Sequence, residues 1–187
     1  MMFNQPININ QRYFLLILYA VILCVFGPTM YWITHRESST PVPGGKNSIE
    51  KRVSLGDKIL VTAHNNSAKQ AGVNAFDQGD YVEAQEDFTS AVQSDRNDPE
   101  ARIYLNNTIA AKTKDPEQIG VSVPIGGDLD VAEEILRGVA QAQTEINNNG
   151  GINGKPLMVE IANDDNNPDL AREIANAFVK DKQVSAV

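Results

Sequence analysis

The chain has 187 residues, of which 24 are acidic and 16 are basic, and its formal net charge is −8. This balance argues against a nucleic-acid-binding protein, which needs a basic face to neutralise phosphates. The single cysteine, Cys24, excludes disulfide bonds within the chain and zinc sites built from several thiolates.

A membrane anchor is predicted near the N-terminus, after a short tail of residues 1–12. Residues 13–33 contain no charged side chain, and a helix of that length spans the ~30 Å hydrocarbon core of a bilayer. A secretory signal peptide is the alternative, because residues 14–26 have the apolar length of one. No pair of small residues suited to cleavage follows them. We therefore predict an uncleaved, single-pass transmembrane helix.

Helices are predicted beyond a linker. Residues 34–65 are interpreted as that linker, because residues 38–48 are rich in Ser, Pro and Gly. Residues 66–114 are predicted to be helical, and small and aromatic residues follow Tyr81 at steps of three and four, at Ala84, Phe88 and Ala91. The residues that carry the helical pattern are Gly72, Phe76, Gly79, Tyr81, Ala84, Phe88, Ala91 and Pro99.

This helical segment resembles one tetratricopeptide unit followed by the start of a second. Gly72 and Asn106 are 34 positions apart, which is the period of that repeat. Fewer than three such repeats rarely stand alone. Two roles stay open: a helical spacer that braces the domain behind it, or a groove that binds a protein partner.

Residues 118–187 have the pattern of an α/β domain. Apolar residues alternate over 119–123 and again over 157–161, which predicts two strands, and a third is predicted to begin at residue 184. Helices are predicted over 129–149 and from Pro168 onwards, with Asn167 as the cap of the second. The order β-α-β-α-β predicts a parallel sheet. Because only two and a half strands are present, we expect an unpaired sheet edge.

The spacing of apolar residues predicts which face each helix buries. The predicted buried residues are Ile135, Val139, Ala142 and Ile146 in the first helix, and Leu170, Ile174, Ala177 and Phe178 in the second. Residues 150–156, Gly-Gly-Ile-Asn-Gly-Lys-Pro, predict a tight turn between the first helix and the second strand.

Three motifs of this domain resemble the first lobe of type I periplasmic binding proteins, the branched-chain amino-acid receptors of ABC transporters. They are Ile-Gly-Val-Ser-Val-Pro-Ile-Gly-Gly at 119–127, Glu-Ile-Asn-Asn-Asn-Gly-Gly-Ile-Asn-Gly-Lys-Pro-Leu at 145–157, and Asn-Asp-Asp-Asn-Asn-Pro-Asp at 163–169. The resemblance covers about residues 118–187. It implies a solute-binding protein rather than an enzyme, with an amino acid or similar small polar molecule as ligand and a transporter permease as partner.

The same resemblance implies that only the start of the first lobe is present. In that family two lobes close on the ligand, and the second gripping loop and the second lobe would follow residue 187. We therefore expect the chain to be a fragment of a longer protein or a truncated remnant. As it stands, it should not bind ligand tightly.

The resemblance places the ligand site in the loop after the first strand, residues 124–130. We expect the N–H groups of Gly126 and Gly127 to face the ligand, although the family commonly carries Ser or Thr at the position of Gly126. Asp128 and Asp130 add negative charge, which favours a ligand with an amine or another cationic group. The alternative is that both aspartates only cap the following helix.

The basic residues around the predicted anchor conflict with this resemblance. Arg12 alone precedes it, whereas Arg36, Lys46, Lys51 and Arg52 follow it, and the positive-inside rule would place the C-terminal part in the cytoplasm. Because the basic residues after the anchor are scattered, we follow the resemblance. We predict an extracytoplasmic, periplasmic C-terminal part.

Catalytic, metal and cofactor sites are not predicted. His35 and His64 are interpreted as surface histidines, and residues 165–176 lack the glycine and glutamate of a calcium-binding EF-hand loop. Residues 150–154 lack the spacing of a nucleotide-binding loop. The alternative function is a membrane-anchored tetratricopeptide scaffold for protein–protein interaction, with a vestigial receptor lobe.

Overall fold

The computed structural model describes residues 49–113 and 115–187, all within the compact unit Pro43–Val187. The predicted tail, the predicted anchor at residues 13–33 and the first part of the predicted linker lie outside the described residues. Within the part that is described, no helix combines the length and the apolar character that a membrane crossing requires.

Five α-helices and four strands follow one another along the described chain. The strands are β1 (Val53–Ser54), β2 (Glu117–Val123), β3 (Leu157–Asn163) and β4 (Val184–Ala186), and the helices are α1 (Ser67–Asp77), α2 (Tyr81–Ser94), α3 (Pro99–Ala111), α4 (Leu129–Asn148) and α5 (Pro168–Lys180). A short 3₁₀ turn, Thr62–His64, precedes α1.

The sheet has the strand order β1-β3-β2-β4. β2 pairs in parallel with β3 on one side and with β4 on the other. These three strands and the two helices between them form the predicted β-α-β-α-β unit, so this part of the prediction is confirmed. β1 pairs antiparallel with β3, with Val53 opposite Ala162. The sheet is therefore mixed rather than purely parallel, because a strand from the predicted linker joins it.

The later residues of the predicted linker are packed into the fold. Val61 is fully buried. The carboxylate of Glu100 in α3 accepts hydrogen bonds from Leu60 N at 2.7 Å and from Val61 N at 3.1 Å. Because these contacts join residues about forty positions apart, the local composition gave no sign of them. The segment ties the sheet to the helices instead of separating them.

Side-chain amides cover the outer edge of β3 where β1 does not reach. The side chain of Asn147 accepts from Leu157 N at 2.6 Å and donates to Leu157 O at 3.0 Å. Two residues further on, Asn107 accepts from Val159 N at 2.8 Å and donates to Val159 O at 2.7 Å. Two asparagines thus supply the donors and acceptors of a neighbouring strand along β3. Among the described strands, the expected unpaired edge lies at β4, which pairs only with β2.

The buried face of α4 differs from the predicted one. Ile135 is 43% exposed and Ala142 is also exposed, although both were predicted to be buried. The fully or nearly fully buried residues of this helix are Ala132, Leu136, Ala140 and Gln143. The face is shifted by about one residue because α4 packs against both α3 and the sheet, where the two alanines allow close approach and Gln143 hydrogen-bonds inside.

The opposite side of the sheet is covered by α5. Ile174 and Phe178 are buried against Ala162, and Leu170 packs beside them, as the helical spacing predicted. Gly120 in β2 makes room for the ring of Phe178, because a Cβ atom at that position would lie 2.5 Å from the ring. The predicted cap is also present, since the side chain of Asn167 accepts from the first N–H groups of α5.

The predicted helical segment consists of α1, α2 and α3. Gly72 lets α1 approach α2, because a Cβ atom there would lie 2.8 Å from the ring of Phe88. The ring of Phe88 in turn lies 5.6 Å from that of Tyr104 in α3. α3 packs against α2 on one side and against α4 and β3 on the other. The prediction of helices is confirmed, and the helical segment shares one core with the sheet.

Candidate ligand-binding edge of the sheet

Two loops meet at the carboxyl edge of the parallel strands. The loop after β2 comprises residues 124–128, and the loop after β3 comprises residues 164–167. The first crossover leads from β2 to β3, and the second leads back past β2 to β4. The chain therefore changes direction at β2, and α/β proteins bind ligands outside the carboxyl ends of strands at such switch points.

The two loops are joined through Asn163. Its Oδ1 atom accepts from Gly126 N at 3.0 Å and from Asp165 N at 2.9 Å. Ser122 at the end of β2 donates to Asp164 Oδ2 at 2.8 Å, which forms a second tie between the loops. The position of one loop thus depends directly on that of the other.

The two glycines of the predicted site are required by this close approach. A Cβ atom on Gly126 would lie 1.9 Å from Asp165 Oδ1, and one on Gly127 would lie 2.4 Å from the Cβ atom of Asn166 and 2.5 Å from the backbone oxygen of Asp165. A carboxylate oxygen therefore occupies the space that a Ser or Thr side chain would need at position 126. The edge presents an acceptor there instead of a hydroxyl donor.

The N–H groups predicted to face the ligand already have acceptors within the chain. Gly126 N donates to Asn163, and Gly127 N donates to Pro124 O at 3.0 Å. Asp128 N also donates to Pro124 O, at 2.7 Å. These bonds form a tight turn that fixes the loop. Their geometry gives the loop a defined shape before any ligand arrives.

The predicted acidic residues lie at the exposed start of α4. The side chain of Asp128 accepts from Val131 N at 3.2 Å, which is the hydrogen bond of a helix cap. Asp130 is exposed in the first turn, where the positive end of the helix dipole favours a carboxylate. Asp128 therefore makes the contact that the capping alternative requires. Among the described residues, Asp130 makes no such capping contact, and its carboxylate is exposed beside the loop.

Several residues at this edge were not predicted. Asp165 forms an ion pair with Arg52, which directly precedes β1, and Asn163 N donates to the backbone oxygen of Arg52 at 2.9 Å. Asp165 and Asn166 adopt positive φ values of 53° and 57°. Consecutive Asn and Asp residues tolerate that conformation, so the run at 163–167 carried a signal for the turn. Arg52 is 113 positions from Asp165 and left no local signal.

A second polar cluster is buried between the 3₁₀ turn and the helices. Lys69 Nζ lies 2.8 Å from Asp98 Oδ2 and 2.7 Å from Glu100 Oε2, and all three side chains are fully buried. The hydroxyl oxygen of Tyr104 lies 2.9 Å from Glu100 Oε1 and 2.8 Å from Lys58 O, so its single O–H group is shared between these two acceptors. Burial raises the pKa of Glu100, although Lys69 opposes that effect. The cluster is a structural ion-pair network, since its groups bond one another and lie away from solvent.

Metal binding finds no support in the described part of the chain. No three His, Cys, Asp or Glu side chains are placed there to hold a metal ion. The aspartates of the second loop are engaged with Ser122, Arg52 and backbone N–H groups. Their arrangement serves the turn between β3 and α5.

Residues 116–187 match a family model described as periplasmic binding protein. The match begins directly before β2 and includes both loops of the candidate edge. It supports, for this part of the chain, the resemblance to a fragment of a type I periplasmic binding protein. Comparison with curated proteins and with solved structures gave no significant match.

Proposed function

We propose that residues 116–187 form the start of the first lobe of an extracytoplasmic solute-binding protein of the ABC-transporter type. The observation that carries the proposal is the family match together with the two loops that meet at the switch point of the sheet. The lobe binds rather than transforms its ligand. The substrate class that we propose is an amino acid or a related small polar molecule.

The charge of the candidate edge favours a ligand that carries a cationic group. Asp130 is exposed beside the first loop. Asp165 Oδ1 occupies the space that the side chain of a Ser or Thr at position 126 would need. Arg52 neutralises part of that charge through its ion pair with Asp165. Gly126, Gly127, Asp128 and Asp130 remain the site residues of the proposal, with the two glycines shaping the loop instead of donating to the ligand, and Asp165 joins them.

The helical segment is proposed to brace the lobe in the manner of a tetratricopeptide-like hairpin. Helix α3 is buried on several sides. Its buried residues are Pro99, Glu100, Ala101, Ile103, Tyr104, Asn107, Thr108 and Ala110. The helix that would start a second repeat is thus already covered by α2, α4 and β3. This coverage favours a bracing role over a groove for a protein partner.

Membrane attachment through residues 13–33 and a periplasmic location for the remainder complete the proposal. The length of the uncharged segment supports the anchor, and the family match supports the location. A reporter enzyme fused after Val187 tests the topology. A reporter that is active only outside the cytoplasmic membrane is the expected result, whereas cytoplasmic activity would overturn the orientation.

Thermal unfolding of the full-length natural protein, with one amino acid added at a time, tests the ligand class. Lysine, arginine and ornithine are expected to raise the melting temperature, because each adds a cationic side chain to the common amino-acid groups. Leucine and glutamate are the matched probes without that side-chain charge. A flat response to all five would contradict the amino-acid class, and a response to glutamate alone would contradict the charge argument.

A further inference from the structure

His64 touches two carboxylates on two different helices. It ends the 3₁₀ turn before α1, and its Nδ1 atom lies 2.6 Å from Asp95 Oδ2 at the end of α2. Its Nε2 atom lies 3.1 Å from Glu133 Oε1 in the first turns of α4. The interpretation of His64 as a surface histidine is therefore wrong, because the side chain is only 22% exposed and both ring nitrogens are engaged.

The geometry of this contact depends on the charge of the imidazole. A neutral imidazole carries one N–H group, so it can donate to only one of the two carboxylates, and its other nitrogen turns a lone pair towards the second. The imidazolium ion donates to both. Two ring nitrogens that both face carboxylate oxygens therefore define a site for the protonated ring.

The charges around His64 are mostly negative. Asp95, Asp98 and Glu133 face it from the end of α2, the start of α3 and the start of α4. Arg137, which lies 3.7 Å from Glu133, and Lys69, which acts on Asp95, are the cations that face this cluster. Burial alone would lower the pKa of His64, but the hydrogen bond with Asp95 and the charges of Glu133, Asp98 and Asp95 outweigh it and raise that pKa.

We propose that His64 is a pH-sensitive clip that fastens the start of α4 to the helical segment. When the ring is protonated, it holds Asp95 and Glu133 together across α2 and α4. When the ring loses its proton, the contact with Glu133 becomes a repulsion and the start of α4 loosens. The loop of residues 124–128 directly precedes this helix, so the clip controls the mobility of that loop.

The direction of the pH effect follows from the raised pKa. A histidine whose pKa is higher in the folded than in the unfolded chain stabilises the fold fully below its unfolded value of about 6.5, and this contribution is lost as the pH rises through the folded value. Asp95 behaves in the opposite sense. Its pKa is lowered by the N–H of Asn97 and by His64, so its contribution is lost only in acid. The clip is therefore closed in mildly acidic solution and opens as the pH rises through the raised pKa of His64.

The clip needs no ligand, and it can be tested on the full chain whether or not the lobe binds a solute. NMR titration of the His64 ring is expected to give a pKa above about 6.5, and Glu133→Gln is expected to lower it. Between about pH 6 and about pH 8.5, the melting temperature should fall more in the wild type than in His64→Gln. Amide exchange at residues 128–133 should quicken over the same interval in the wild type.

His35→Gln is the matched control, since His35 is the other histidine of the chain and should leave the pH profile unchanged. An unperturbed His64 pKa, or a His64→Gln variant with the same fall in melting temperature as the wild type, would overturn the proposal. If His64→Gln does not fold, Glu133→Gln supplies the test, because it keeps the ring and removes one carboxylate charge. A Glu133→Gln variant whose His64 pKa equals that of the wild type would also overturn it.

Discussion

The side-chain amide of Asn107 bonds both backbone groups of Val159, at 2.8 Å to the N–H and 2.7 Å to the carbonyl oxygen. A residue of helix α3 thus takes the place of a strand at the edge of β3. The same amide donates to Leu55 O, and its oxygen accepts from Gln143 Nε2, each at 2.7 Å. One buried side chain therefore joins the strand, the segment before the helices, and α4.

Asn107→Ala is expected to destabilise the protein by about 2–4 kcal/mol, because it leaves several buried donors and acceptors without partners. Urea denaturation followed by circular dichroism measures the loss. The neighbouring Asn106→Ala is the control. Among the described residues, its amide bonds the half-buried Thr144 hydroxyl alone, so about 1 kcal/mol or less is expected. Equal losses in the two variants would contradict the role assigned to Asn107.

Lys69→Met removes the cation from the buried cluster with Asp98 and Glu100. Breaking a buried ion pair in this way leaves uncompensated charge, so a loss of about 3–5 kcal/mol is expected near neutral pH. Lys112→Met is the control, since Lys112 is exposed and its removal leaves no buried charge.

The penalty of Lys69→Met should shrink as the pH falls. The pKa of Glu100 is already raised by burial, and the loss of Lys69 raises it further. A carboxyl group with a raised pKa destabilises the fold above its unfolded pKa of about 4.3, and protonation relieves this cost. Denaturation curves at several pH values between about 4 and 7 measure the difference from the wild type. A difference that stays constant over this range would show that Glu100 does not carry the penalty.

The two glycines of the candidate edge should respond differently to alanine. In Gly127→Ala the new atom meets the backbone oxygen of Asp165, so the loop itself must shift and about 1–3 kcal/mol is expected to be lost. In Gly126→Ala it meets the end of the Asp165 side chain, which can rotate away and break its pair with Arg52. The expected loss is about 1 kcal/mol or less, because the pair is partly exposed.

Gly138→Ala is the control for both loop variants. Gly138 lies within α4, and a Cβ atom there would meet no other atom within 4 Å. Alanine is expected to stabilise the helix by about 0.5–1 kcal/mol. Thermal unfolding of the three variants gives the ranking directly. A Gly126→Ala variant that is less stable than Gly127→Ala would contradict the described contact between the loops.

Local patterns were sufficient for the elements of the C-terminal domain. The Asn167-Pro168 start of α5, the glycine turn at residues 150–156 and the alternation in β2 and β3 each depend on neighbours in sequence. The face of α4 was misassigned because the helix carries two overlapping apolar stripes. The stripe that is buried includes the polar Gln143, which made it look like the less apolar of the two. No local pattern shows that a polar residue will find partners in the core.

The contacts that assemble the candidate edge and the clip lie far apart in sequence. Arg52 meets Asp165 across 113 positions, and His64 meets Glu133 across 69. Each of these side chains is a common surface residue when it is judged alone. Their roles become visible only in the folded chain, in which β1 and the 3₁₀ turn contact the α/β unit that follows them in sequence. A single sequence therefore predicted the loop after β2 but not the residues that hold it in place.

Gly120 and Phe178 form a packing pair between β2 and α5. Gly120→Ala is expected to cost about 1–3 kcal/mol, because its Cβ atom would lie 2.5 Å from the Phe178 ring and the ring fills a closed space beside Ile174. Phe178→Leu alone should also destabilise, since it removes part of a buried ring. In the double variant the smaller side chain makes room for the new methyl group. Its loss should therefore be less than the sum of the two single losses by about 0.5 kcal/mol or more. Urea denaturation of the four proteins completes the cycle, and additive losses would show that the strand and the helix do not meet through this pair.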